Sequence, residues 1–181
     1  DGDIYKQNSF RGSFDNAYWA IDNNKYTEDT NRFFGNIYAN YQTDFGTANH
    51  KLNAKYMVGV DAYTTHYSDS YGYGSNTGGG RGQIENYGWT NATYNSLLTI
   101  NYDWHINDDW GLNAVVGNEF IQSNRKKYYE YGSNYNFAGW NHINNATTQQ
   151  TEEERWKNRT VGFFANVSAA YRNMLYLTVT G

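Results

Sequence analysis

The sequence predicts an all-β chain, an antiparallel transmembrane β-barrel segment of about six strands in three hairpins that belongs to a larger barrel. Three observations predict it: six runs alternate with period two, bulky aromatic residues gather at the ends of those runs, and the connections are short at one end and long at the other. The composition agrees. The 181 residues include 19 Tyr and 18 Gly, with no Pro and no Cys, and the mean hydropathy is -0.89. Tyr, Gly, Asn and Thr in place of long aliphatics is a β-rich usage.

The first run, Phe33 to Phe45, has Phe, Gly, Ile, Ala, Tyr, Thr and Phe at odd positions. The second, Leu52 to Thr64, has Leu, Ala, Tyr, Val, Val, Ala and Thr at even positions. In Tyr94 to Ile106 and Trp110 to Phe120 the even positions are again mainly apolar. Val161 to Tyr171 and Leu175 to Val179 carry apolar residues at odd positions. The apolar parity of the six runs contains no charge, whereas the other parity holds Arg32, Asp44, Lys51, Lys55, Asp61, Asp103 and Glu119. Side chains on a strand point alternately to its two faces, so each run has one face without charge and one wet face.

Two environments could receive the apolar face: the core of a soluble β-sandwich, or lipid. The four central runs are 11 to 13 residues long, enough to cross a bilayer at a tilt, which takes about 9–11 residues. Phe45, Trp104, Trp110 and Tyr171 lie beside the short turns, and Phe33, Tyr94, Phe120 and Phe163 lie toward the long connections, with Ile37, Val58, Val60, Leu98, Val116 and Val167 between them. These eight aromatics are the expected girdle residues at the two lipid interfaces. The short turns are Gly46 to Lys51, Asn107 to Asp109 and Arg172 to Met174. The long connections are expected at 66–93 and 121–158, and 1–31 reads as the tail of another long loop, leaving 32–181 for the six strands. A barrel needs about eight strands to close, so the chain is expected to be a piece of a larger one. A small closed barrel acting as a passive pore would need further strands within 1–31, where no alternation is sustained.

Three stretches carry a family resemblance: "NKYTEDTNRFFGNIYANY" (Asn24 to Tyr41), "VVGNEF" (Val115 to Phe120) and "NRTVGFFANVSAAYRNMLYLTVTG" (Asn158 to Gly181). They resemble the middle of the barrel of SusC/RagA-like TonB-dependent transporters of Bacteroidetes outer membranes. "NAYW" at Asn16 to Trp19 departs from that pattern, lacking a proline in second position. The resemblance implies a partial TonB-dependent receptor barrel in the bacterial outer membrane, about 22 strands in all with a plugged lumen. It implies import of glycans or peptides with a SusD-like surface lipoprotein, driven by the TonB complex. The plug domain, through which TonB acts, is expected to lie outside this sequence.

No catalytic chemistry is legible. His50, His66, His105 and His142 have no metal-ligand spacing. "GGGRG" (Gly78 to Gly82) lacks the lysine of a phosphate loop and reads as loop glycine. "TEEER" (Thr151 to Arg155) reads as a solvated loop run or one helical turn, and Glu85, Glu119 and Glu152 to Glu154 are not spaced to form a hydrolytic pair. The expectation is a non-enzyme with no cofactor and no metal. A net charge of -4 with no basic run gives no footprint for nucleic acid. Candidate substrate contacts are the loop rings Tyr73, Tyr87, Trp89, Tyr135 and Trp140, whose flat faces and polar handles suit sugars or peptides. Asp61, Tyr63 and Glu119, on the charged parity, are candidates along a lumen. The alternative function is a secreted or surface β-sandwich binding carbohydrate through its aromatic loops.

Overall fold

A computed structural model describes residues 6–9 and 11–181. Six antiparallel strands form one sheet in chain order: β1 (Lys25–Thr43), β2 (His50–Tyr71), β3 (Gln83–His105), β4 (Trp110–Tyr135), β5 (Ala146–Tyr171) and β6 (Leu175–Thr180). The fold is all-β, as the alternation predicts. A sandwich needs a second sheet against the first, and these six strands make only one.

The strands are longer than the sequence pattern predicts. β2 to β5 have 22, 23, 26 and 26 residues, so much of the expected loops 66–93 and 121–158 is strand. The connections there shrink to 72–82 and 136–145. The expected loop tail 1–31 likewise contains a short helix, α1 (Ala17–Asn23), and the start of β1. "TEEER" lies within β5 and makes no helical turn. Alternation marks a strand only while one face is apolar. Where both faces are polar the hydrogen-bonded ladder continues without that mark.

Two compact units divide the chain. Unit 2 comprises Phe33–Ala62, Ala92–Asn124 and Lys157–Gly181 and nearly coincides with the alternating runs. Its faces follow the predicted parity. Phe33, Ile37, Val58, Val60 and Tyr94 line one shallow depression, while Gln42, Asp44, Lys51, Asn53, Asn101 and Asp103 line a polar groove of about 570 Å³. Beside that groove Asn113 Nδ2 donates to Asn101 Oδ1 at 2.8 Å and to Asp103 Oδ1 at 2.6 Å.

The β5–β6 register shows the same separation. Val167 faces Val179, Ala169 faces Leu177 and Tyr171 faces Leu175; between them Asn166 faces Thr180 and Ser168 faces Thr178. A slip of one residue would exchange the faces. The hairpin turns at Arg172 and Asn173, both with positive φ (50° and 56°), and closes with Met174 N–H donating to Tyr171 O at 3.0 Å. Two consecutive left-handed residues match the twist of the strands they join. Arg172 also reaches the neighbouring turn, where Nε lies 2.7 Å from Asp109 Oδ1. At Gly117 an added Cβ would stand 2.1 Å from the Phe164 ring. The ring occupies the space that a side chain at 117 would take.

Unit 1 comprises Asp1–Arg32, Tyr63–Asn91 and Arg125–Trp156. Among the described residues the buried apolar side chains are Trp19, Ile84, Tyr135 and Ala146, and all four belong to this unit. Ile84, Tyr135 and Ala146 form its core, with Tyr73 and Ile143 packed against them. Gly82, at φ +75°, brings its backbone under the Tyr135 ring, where an added Cβ would be 2.5 Å away. "GGGRG" is a structured turn: Gly78, Gly79, Gly80 and Gly82 all have positive φ, and Gly80 N–H donates to Ser75 O at 2.9 Å.

Asp15 ties this turn to the segment before α1. It accepts from Ser75 Oγ at 2.6 Å, Asn76 N–H at 2.7 Å and Gln7 Nε2 at 2.7 Å. Burial works to raise its pKa, but the bonds from Ser75, Gln7 and the Asn76 backbone outweigh burial and hold the carboxyl below its ordinary value.

Candidate functional site

A row of aromatic and charged side chains crosses the strands of unit 1. On β2 and β3 the rings of Tyr67 and Tyr87 stack with centroids 4.9 Å apart and planes 9° apart, and Trp89 tilts against Tyr67 at 5.7 Å. The Arg125 guanidinium of β4 lies over Trp89 at 5.9 Å and over Trp156 of β5 at 5.6 Å. On β1, Glu28 Oε1 accepts from the Tyr67 hydroxyl at 3.1 Å. Adjacent strands bring such pairs within reach, and each contact lies inside unit 1.

The acidic end perturbs its phenols. Tyr67 is raised by the hydrogen bond to Glu28 and then by desolvation. Tyr87 is raised by desolvation and then by the charge of Asp69, whose Oδ2 lies 3.5 Å from its hydroxyl. Both phenols therefore stay protonated donors at neutral pH. At the other end the described residues give Arg125 two indole faces and no carboxylate. The ions Lys126, Glu153 and Arg155 pair among themselves, with Glu153 2.7 Å from Lys126 and 2.6 Å from Arg155.

The eight candidate contacts are distributed differently. Tyr87 and Trp89 are in the row, on β3 and not in a loop. Tyr135, at the end of β4, is fully buried and part of the core, so its ring is not free for a ligand; Tyr73, in the 72–82 connection, is partly buried against that core. Trp140 is exposed in the 136–145 connection, stacked between Phe137 at 5.8 Å and His142 at 5.0 Å. Asp61 and Tyr63 lie on β2 and Glu119 on β4, apart from the row. Tyr67, Arg125 and Trp156 were missed because they lie in segments read as loop, where no register aligns them.

Of the eight girdle aromatics, Phe33, Phe45, Tyr94, Trp104, Trp110 and Phe163 are exposed. Phe120 and Tyr171 are partly covered, by Arg159 and by Trp110 respectively. Phe45 sits two residues past the end of β1, in the turn, with φ 56°.

Among the described residues no group of three or more His, Asp or Glu is placed to hold a metal. No helix is long and apolar enough to cross a membrane, which bears on helical spans alone.

No family model and no curated protein matches the sequence. Solved structures do. The structure of the RagAB peptide transporter superposes with a TM-score of 0.75 at 13% identity, over 92% of this chain and 18% of that one. The RagAB peptide importer matches over the same shares in its "closed-closed" state (TM-score 0.75) and its "open-open" state (TM-score 0.74), again at 13% identity. The likeness is one of fold: an all-β sheet of six antiparallel strands, consistent with part of a β-barrel. The chain spans about a fifth of the length of the chains it matches.

Proposed function

We propose that this chain is part of the barrel of an outer-membrane, TonB-dependent importer of the SusC/RagA type, non-enzymatic, taking up glycans or peptides with a SusD-like surface lipoprotein. The observation that carries the reading is the apolar face of unit 2. Phe33, Ile37, Val58, Leu98, Val161, Phe163, Leu177 and Val179 are all exposed, and unit 2 contributes none of the buried apolar side chains among the described residues. Soluble monomers rarely expose apolar patches beyond a few hundred Å². Lipid would cover this face without any second protein layer, and the opposite, polar face would then line the lumen. On this reading the plug and its TonB contact lie elsewhere in the protein.

The test is the purified polypeptide itself. The importer reading expects a species several times heavier than 20.9 kDa on a denaturing gel, recovered from outer membranes and aggregating without detergent. A 20.9 kDa species soluble without detergent would sink it.

A further inference from the structure

The row on unit 1 carries opposite charges at its two ends. Glu28 stands at the β1 end, with Asp69 beside Tyr87; Arg125 stands at the β4 end with no carboxylate partner among the described residues. Between them are the rings of Tyr67, Tyr87 and Trp89. An uncharged ligand would leave both ends unused, whereas one with an ammonium and a carboxylate would satisfy both. The span sets a length. From β1 to β4 is three strand spacings of about 4.8 Å, roughly 14 Å, and an extended peptide covers about 3.4 Å per residue.

We propose that this row is a binding site for short zwitterionic peptides of about four residues, with the α-ammonium held at Glu28, the terminal carboxylate at Arg125, and apolar or aromatic side chains on the rings between. The remaining Glu28 oxygen accepts from the ammonium, and the guanidinium, which lies over the Trp89 and Trp156 rings, donates to the carboxylate. This rests on the importer reading only in taking this face as one that solute reaches. It adds selection for free peptide ends and for length.

The experiment uses the full-length protein in detergent and follows intrinsic tryptophan fluorescence, since Trp89 and Trp156 both touch Arg125. The probe is Ala-Phe-Tyr-Ala with free ends, compared with its N-acetylated and C-amidated forms, with a free-ended ten-residue peptide and with maltotetraose. The free tetrapeptide is expected to bind at least about tenfold more tightly than either blocked form, the loss of one charge-assisted hydrogen bond. Glu28→Gln should erase the cost of N-acetylation alone, Arg125→Met that of C-amidation alone, and Arg125→Lys should restore part of the latter. Equal binding of free and blocked tetrapeptides, or tighter binding of maltotetraose, overturns the proposal whether or not the variants fold. Binding of the ten-residue peptide without the tetrapeptide overturns it and leaves the importer standing. A protein soluble without detergent sinks the importer reading, independently of the peptide result.

Discussion

Two single atoms show how unit 1 balances its polar groups. The Tyr135 hydroxyl is buried without a hydrogen-bond partner among the described residues, and an unsatisfied buried donor costs about 1–3 kcal/mol. Tyr135→Phe is therefore expected to raise stability by about 1 kcal/mol in denaturant unfolding, because the ring contacts remain and the orphan is removed. Gly82→Ala is expected to do the reverse, by about 1–3 kcal/mol, since it adds a Cβ both at positive φ and against that ring. Asp15 gives a pH effect of known sign. Its folded pKa is lowered, so its stabilisation is present above the ordinary carboxylate pKa and is lost as pH falls through that range. Hydrogen exchange in the 72–82 turn should accelerate on acidification, and in Asp15→Asn it should be fast at neutral pH and nearly indifferent to acid once intrinsic rates are corrected.

At the scale of elements, the β5–β6 hairpin makes both turn and register testable. Asn173→Val puts a β-branched residue at φ 56°, costing about 1–2 kcal/mol, while Asn173→Gly removes the strain and should be neutral or better; thermal unfolding in detergent separates the two. Register predicts a labelling pattern. An environment-sensitive label at Leu177→Cys should be quenched by lipid-borne quenchers, and one at Thr178→Cys, paired with Ser168 on the other face, should not. Equal quenching at both would remove the assignment of faces. The Arg172–Asp109 pair is exposed and should contribute less than about 1 kcal/mol, so the turn backbone and not the ion pair holds this corner.

For the whole molecule, the deciding quantity is where apolar area goes. Ile37→Arg, on the apolar face near mid-strand, is expected to cost about 2–4 kcal/mol if that face meets the bilayer midplane; Asn53→Arg, on the polar groove, should cost far less. Folded yield and heat-modifiable gel mobility after refolding into lipid read both. What the sequence by itself determined is the all-β class, the six strands and the two faces of unit 2, because lipid or core excludes charge from every second position and writes a period of two into the residues. Only the tertiary structure decided how far the strands run, because in β2 to β5 beyond those runs both faces are polar and the ladder of backbone bonds leaves no mark in side-chain type. It also decided that Tyr135 is core with Tyr73 packed against it, and that Tyr67, Tyr87, Trp89, Arg125 and Trp156 form one row. Those residues lie up to 89 positions apart, and only strand pairing brings them together.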